Sequence, residues 1–183
     1  MGYALAEAAV AADHDVVLIS GPVDLEPVAG ATLIPVSTSD EMFDAVVWHA
    51  KSCDVLVMAA AVVDYKPERV SPTKIKKRDE KLALQLIRTR DILATIGNQP
   101  RNYLLAGFAA ETENLEANAA KKLRDKNLDL IIANDVSDPA IGMESDKNEV
   151  TILFRSGEKR KIPRATKKNL ARELIKIFVN TRE

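Results

Sequence analysis

Short apolar runs alternate with helix-like stretches along most of the chain. Gly2 to Ala12 is rich in alanine and suits a helix. His14 to Ser20 is a β-branched run stopped by Gly21-Pro22, which predicts a buried strand and a turn. Ala31 to Val36 predicts the next strand. Thr38 stands three residues before Glu41, the spacing of a capping box, and Met42, Val46, Val47 and Ala50 follow at helical intervals. Asp54 to Ala60 is almost wholly apolar, as a strand of a parallel sheet covered on both faces should be.

The alternation then breaks. Val62 to Lys77 holds two prolines and many charges and reads as a long loop, a kind of segment that is often functional in compact domains. Leu82, Leu84 and Leu86 alternate within Lys81 to Arg88, which predicts a strand. A short helix over Arg90 to Gly97, capped by Thr89, is expected next. Strands follow at Tyr103 to Phe108 and Leu128 to Ala133, with a helix over Asn114 to Lys126 between them. Asn134 to Asn148 reads as a polar loop. Glu149 to Phe154 and Lys159 to Ile162 flank Ser156-Gly157 as a hairpin, and Thr166 should cap a last helix carrying Leu170, Leu174, Ile177 and Phe178. The expected fold class is α/β: a Rossmann-like, doubly wound, mostly parallel sheet with helices on both faces and an antiparallel hairpin at one edge.

Length and composition narrow the function classes. The 183 residues suit one domain, and 26 basic against 27 acidic side chains leave no bulk attraction for nucleic acid or anionic membranes. No apolar run reaches the roughly 20 residues that span a bilayer. The only cysteine, Cys53, rules out an internal disulfide and leaves a cytoplasmic setting as the expectation, with Cys53 read as structural. His14 and His49 lack companions at metal-ligand spacing, and neither a Gly-x-Gly-x-x-Gly turn nor a P-loop is present.

In open α/β sheets, ligands bind beyond the carboxyl ends of the strands, and three candidate segments fall there. In Met58-Ala59-Ala60-Ala61-Val62-Val63-Asp64-Tyr65, small alanines admit a ligand close to the backbone, and Asp64 can accept hydrogen bonds from ribose or base; the spacing alone favours an ordinary strand end with a turn aspartate. Lysines of Lys74-Ile75-Lys76-Lys77 can close over phosphates, or simply form a solvated basic patch. Phe108, in Gly107-Phe108-Ala109-Ala110-Glu111-Thr112, can stack on a base or sit in the core. Lys122 and Lys126, four apart on one helix face, can reach one anion together or stand exposed.

Taken in order, these segments carry a resemblance. Leu18-Ile19-Ser20-Gly21-Pro22, the Ala59–Tyr65 stretch, Lys74-Ile75-Lys76-Lys77, Asp91-Ile92-Leu93, Gly107–Thr112 and Asp129-Leu130-Ile131-Ile132-Ala133-Asn134-Asp135 follow one another as in phosphopantothenate–cysteine ligase, the synthetase half of the bifunctional coenzyme A biosynthesis flavoproteins. The chain resembles that family over its whole length. The resemblance implies a single nucleotide-binding synthetase domain over residues 1–183 that joins cysteine to 4'-phosphopantothenate through an acyl-cytidylate. CTP serves as co-substrate with Mg²⁺, and pyrophosphate and CMP are released. It assigns Lys74 to the triphosphate and to catalysis. Nucleotide contacts are implied at Met58, Ala59, Ala60, Asp64, Arg90, Asp91, Ile92, Leu93, Phe108, Lys122 and Lys126. Asn134 and Asp135 are expected to border the cleft, and the metal ligands stay unassigned.

The resemblance also implies a homodimer, made partly by the segment after the Ala59–Tyr65 stretch. Fusion to or association with a flavin-dependent decarboxylase domain is implied too, with no FMN expected in this chain. The family's strand, glycine-rich turn and asparagine-bearing loop before Met1-Gly2 are expected to be missing, which bears on the second half-reaction. Val63, Thr89-Arg90 and Met143 depart from the usual alanine, Asn-Pro and phenylalanine. Two other readings stand beside the ligase: a nucleotide-binding or dimerisation core without full turnover, and an NAD(P)-dependent oxidoreductase, whose glycine fingerprint is absent.

Overall fold

The computed structural model describes residues 1–76, 82–135 and 147–182, with the side chain of Asp135 outside that description. The expected features at Lys77, Lys81, Met143 and most of the loop from Asn134 to Asn148 also lie outside the described residues.

Helix α1 (Gly2–Val10) leads through a turn at Asp13, whose φ is 60°, into β1 (Val16–Ser20). Strand β2 (Ala31–Pro35) pairs with β1 in parallel, Leu18 opposite Leu33. Helix α2 (Ser39–His49) begins with the predicted capping box: Glu41 N donates to Thr38 Oγ1 at 3.1 Å, and Thr38 N donates back to the Glu41 carboxylate at 3.2 Å. Such a cap contributes about 1 kcal/mol, enough to fix where the helix starts.

Strand β3 (Val55–Met58) opens a five-stranded sheet completed by β6 (Leu104–Glu111), β7 (Leu130–Asp135), β8 (Lys147–Phe154) and β9 (Lys159–Thr166), in the order β3-β6-β7-β8-β9. The first three run parallel; β8 and β9 are antiparallel, turning at Gly157, whose φ of 93° only glycine adopts without strain. This is the expected α/β architecture with its edge hairpin. The β1–β2 pair forms a separate two-stranded sheet.

Side chains alternate across the large sheet with period two, and each set meets its own helices. Leu104, Ala106, Leu130, Ile132, Val150 and Ile152 face α1 and α5 (Lys167–Arg182), packing on Leu5, Leu170, Leu174 and Phe178. Leu105, Ala109, Ile131, Ala133 and Leu153 face α2, α3 (Ile92–Gly97) and α4 (Leu115–Asp125). Thr166 Oγ1 accepts from Asn169 N at 3.2 Å at the start of α5, as the sequence predicts. The outermost strand, β9, carries Lys159, Arg160, Lys161, Pro163 and Arg164, and a register irregularity separates it from β8 near Asn148 and Val150.

Three local expectations change. The expected strand over Lys81–Arg88 shrinks to β5 (Leu86–Arg88), which pairs antiparallel with β4 (Tyr65–Pro67), a strand inside the stretch read as loop. Leu82, Leu84 and Leu86 are exposed together, because among the described residues no second sheet or helix lies against one face of the pair to exploit their alternation. Helix α3 starts at Ile92 with Asp91 as its cap, Asp91 Oδ1 accepting from Ala94 N at 3.0 Å. Thr89 lies one residue too early to cap; its hydroxyl donates to Val63 O at 2.6 Å. Finally, β6 and β7 run on past their predicted ends to Glu111 and Asp135, since each edge of these extensions finds a partner in the other.

At the amino ends of β6 and β7, away from the candidate site, Arg101 and Arg155 converge on Asp129, each 3.2 Å from Asp129 Oδ1. Asp129 Oδ2 also accepts from Leu105 N at 2.8 Å. The side chain of Arg101 is only 8% exposed, so loss of Asp129 would leave a buried guanidinium without its carboxylate partner.

Candidate functional site

Parallel pairing sets Met58 opposite Gly107 and carries β6 four residues further, so β3 ends where Phe108–Glu111 begins to project. The chain leaving β3 passes Ala59 beside the start of α1, where a Cβ on Gly2 would stand 3.9 Å from that of Ala59. On the far side of α1's first turn, Tyr3 donates its hydroxyl to Ser20 Oγ at 3.2 Å, at the end of β1. The stretch 59–64 then reaches the segment before α3: Thr89 N donates to Asp64 O at 2.9 Å. Met58, Ala59, Ala60 and Asp64 are thereby joined to Arg90, Asp91, Ile92 and Leu93.

From there the ring continues to α4. Lys126 Nζ lies 3.0 Å from Asp91 Oδ2, tying the cap of α3 to the end of α4. One turn earlier, Lys122 Nζ lies 2.6 Å from Glu111 Oε1, and Asn118 Nδ2 donates to the other carboxylate oxygen at 3.2 Å. The two lysines therefore do not wait as free cations for a shared anion; each is held by a different carboxylate. Leu93 closes on β6 where Gly107 leaves room, since a Cβ there would meet Leu128 at 2.9 Å and Leu93 at 3.3 Å.

Other candidate residues are placed differently. Phe108 is half-buried and packs into the core on the α1 and α5 face, across the sheet from Lys122 and Lys126. Asn134 is buried at the end of β7. The backbone of Asp135 stands opposite that of Glu111. Asp64 and Lys74 are exposed, and among the described residues neither side chain makes an ion pair or hydrogen bond. Lys74 lies in the segment that follows β4, part of an arm formed by β4, β5 and their flanks. Arg90 turns toward α2, its guanidinium 3.7 Å over the Phe43 ring and 3.1 Å from Asp44 Oδ1.

The sequence reasoning missed Asp40, Phe43, Asp44 and Glu111, partners of the candidate cations, and Lys66, which shares Asp40 with Arg90. For the first three a signal existed: the capping box fixes the start of α2, and 40, 43 and 44 then share one face. The hydrogen bond from Lys66, with the charges of Lys66 and Arg90, holds the Asp40 carboxyl below the usual carboxylate range against a smaller opposing effect of burial. Burial pushes the Cys53 thiol up, which suits a structural residue. Among the described residues no group of three or more His, Cys, Asp or Glu is gathered to hold a metal, and no helix is long and apolar enough to cross a membrane. A surface groove lined by Arg160, Arg172 and Lys176 lies between β9 and α5, apart from the strand ends.

Residues 1–181 match the family described as DNA/pantothenate metabolism flavoprotein C-terminal domain. The coenzyme A biosynthesis bifunctional protein CoaBC of Bacillus subtilis is 46% identical over 176 residues, covering 96% of this chain and 43% of that protein. The chain thus spans less than half the length of that relative. The crystal structure of the C-terminal domain of a CoaBC protein superposes with a TM-score of 0.80 at 40% identity, covering 96% of this chain and 79% of that one. A Cab2 mutant in complex with phosphopantothenate-cysteine shares the fold, with a TM-score of 0.65 at 19% identity over 83% of this chain and 54% of that one.

Proposed function

Because the chain belongs to the family of DNA/pantothenate metabolism flavoprotein C-terminal domains, we propose that it is the synthetase domain of a phosphopantothenate–cysteine ligase of coenzyme A biosynthesis. The observation that carries the reading is the family match over residues 1–181 together with 46% identity to a CoaBC protein. The activity proposed is CTP-dependent. The carboxylate of 4'-phosphopantothenate attacks the α-phosphorus of CTP and pyrophosphate leaves; the cysteine amine then attacks the acyl carbon and CMP leaves.

The ring of strand ends supports this chemistry. Ala59 and Ala60 leave the backbone open to a nucleotide, and Asp64 offers an exposed carboxylate to ribose or base. Lys122 and Lys126 stand at the rim, each paired with a carboxylate from which a phosphate could draw it, and Lys74 on its arm supplies a cation for the triphosphate. Mg²⁺ carried on the triphosphate needs no protein cage of its own, in keeping with the lack of a His, Cys, Asp or Glu cluster among the described residues. When bound, the ion would neutralise phosphate charge that lysines alone leave unbalanced. In the whole protein, fusion to a flavin-dependent decarboxylase domain and a cytoplasmic setting belong to the same proposal.

Isothermal titration with CTP and Mg²⁺, with ATP and NADH as comparators, tests the reading. Selective heat from CTP is expected. NADH binding without CTP binding would instead favour an oxidoreductase.

Homodimerisation is part of the proposal, supported by the arm. Val63, Tyr65, Val70, Ile75, Leu82 and Leu84 are each more than half exposed, a density of apolar surface that marks an interaction face. Sedimentation at micromolar concentration should give a dimer; a monomer there removes this part.

A further inference from the structure

Among the described residues, strands β4 and β5 pack chiefly on each other and touch the other helices and strands little. The tethers at the arm's root are therefore few. Lys66, the central residue of β4, donates to Asp40 Oδ2. Arg90, two residues past β5, lies 3.3 Å from Asp40 Oδ1 and 3.1 Å from Asp44 Oδ1 while stacking on Phe43. Both ends of the arm thus meet one carboxylate. That carboxylate sits in the first turn of α2, already fixed by the Thr38–Glu41 capping box.

We propose that Asp40 is a positioning residue whose carboxylate grips both roots of the β4–β5 arm and so sets where the segment bearing Lys74 leaves the body. Its catalytic consequence rests on the ligase reading given above; the grip itself does not.

Global stability is not what this cluster supplies. The Lys66, Asp40 and Arg90 side chains are 33%, 42% and 46% exposed, and ion pairs so open to water add little to folding. Geometry is another matter. The described part of the arm has no core of its own and few other constraints, and a displacement of about 1 Å at a catalytic group can lower a rate a hundredfold. With its acidity raised by Lys66, Asp40 keeps its charge, and hence its grip, throughout the neutral range.

Hydrogen exchange on the purified chain tests the grip. The amides of Thr89 and Glu68 bond to Asp64 O and Gln85 O, each at 2.9 Å, and report on the root and the far end of the β4–β5 ladder. In Asp40→Asn they should exchange about fivefold faster, the factor that matches an exposed ion pair, with the melting temperature unchanged. Asp44→Asn, which leaves the Lys66–Asp40 pair intact, should exchange like the unaltered chain. Unchanged exchange in Asp40→Asn, equal acceleration in Asp44→Asn, or a large fall in melting temperature would each overturn the proposal.

A second measurement addresses Lys74. In the ligase, Asp40→Asn should lower kcat for pyrophosphate release about tenfold when Lys74 is present and leave it unchanged in a Lys74→Ala background. A loss of the same size in both backgrounds overturns the coupling to Lys74. Absence of any CTP-dependent turnover would remove the ligase reading while the exchange result still decides the grip.

Discussion

Gly97→Ala should destabilise the chain by about 3 kcal/mol or more, the upper range for forcing a group into a packed interior. Gly97 ends α3 and is buried against the end of α4. A Cβ there would stand 1.9 Å from Lys126 O and 3.1 Å from the carbonyl carbon. The obstacle is backbone, so no rotamer change relieves it. Nor can the helices separate easily, because Asn127 Nδ2 and Arg101 Nη1 both donate to Gly97 O, at 2.6 and 2.7 Å. Alanine's better helix propensity contributes at most about 1 kcal/mol in the other direction, so the clash wins. Urea unfolding should show the loss, and at this chain length the melting temperature should fall by roughly 6–12 °C. An unchanged midpoint would mean that α3 and α4 part freely. The same shift would disturb the Lys126–Asp91 pair, so any surviving fold should bind nucleotide less well.

Lys74→Ala should have the opposite profile. The residue is exposed and its side chain makes no hydrogen bond or ion pair among the described residues, so its removal should leave the melting temperature within about 1 °C, as for most surface substitutions. CTP-dependent pyrophosphate release should nevertheless fall by about 10²–10³, the usual consequence of losing one preorganised group aimed at developing charge. Lys74→Arg should recover part of the rate, since the charge returns with a different shape. A substantial drop in melting temperature with an undiminished rate would make Lys74 a structural residue.

What the sequence revealed depended on whether a local pattern had a tertiary partner. The Thr38–Glu41 box, the turn at Gly157 and the apolar run of β3 are set by neighbouring residues, and each stands where the spacing predicts. The arm was illegible for the converse reason. Leu82, Leu84 and Leu86 alternate as a half-buried strand would, yet no layer among the described residues covers them, and only Leu86–Arg88 of the predicted strand forms. Site residues followed the same rule. Family order carried Lys122, Lys126 and Arg90 to the site, but their carboxylate partners come from residues 11 to 50 positions away, a distance no local spacing encodes. Phe108 could have been core or ligand platform on sequence alone; which face of β6 it takes is fixed by register with β3 and β7.

Strand β9 has a consequence for how the protein behaves at high concentration. An outermost strand offers a row of unpaired amides and carbonyls on which a neighbouring molecule can build. Pro163 removes one of those amides, Lys159, Arg160, Lys161 and Arg164 repel an identical strand, and the irregularity opposite Asn148 and Val150 breaks the flatness that stacking requires. Fibrillar growth by addition to this edge is therefore discouraged in three independent ways, and removing any single one should leave the other two standing.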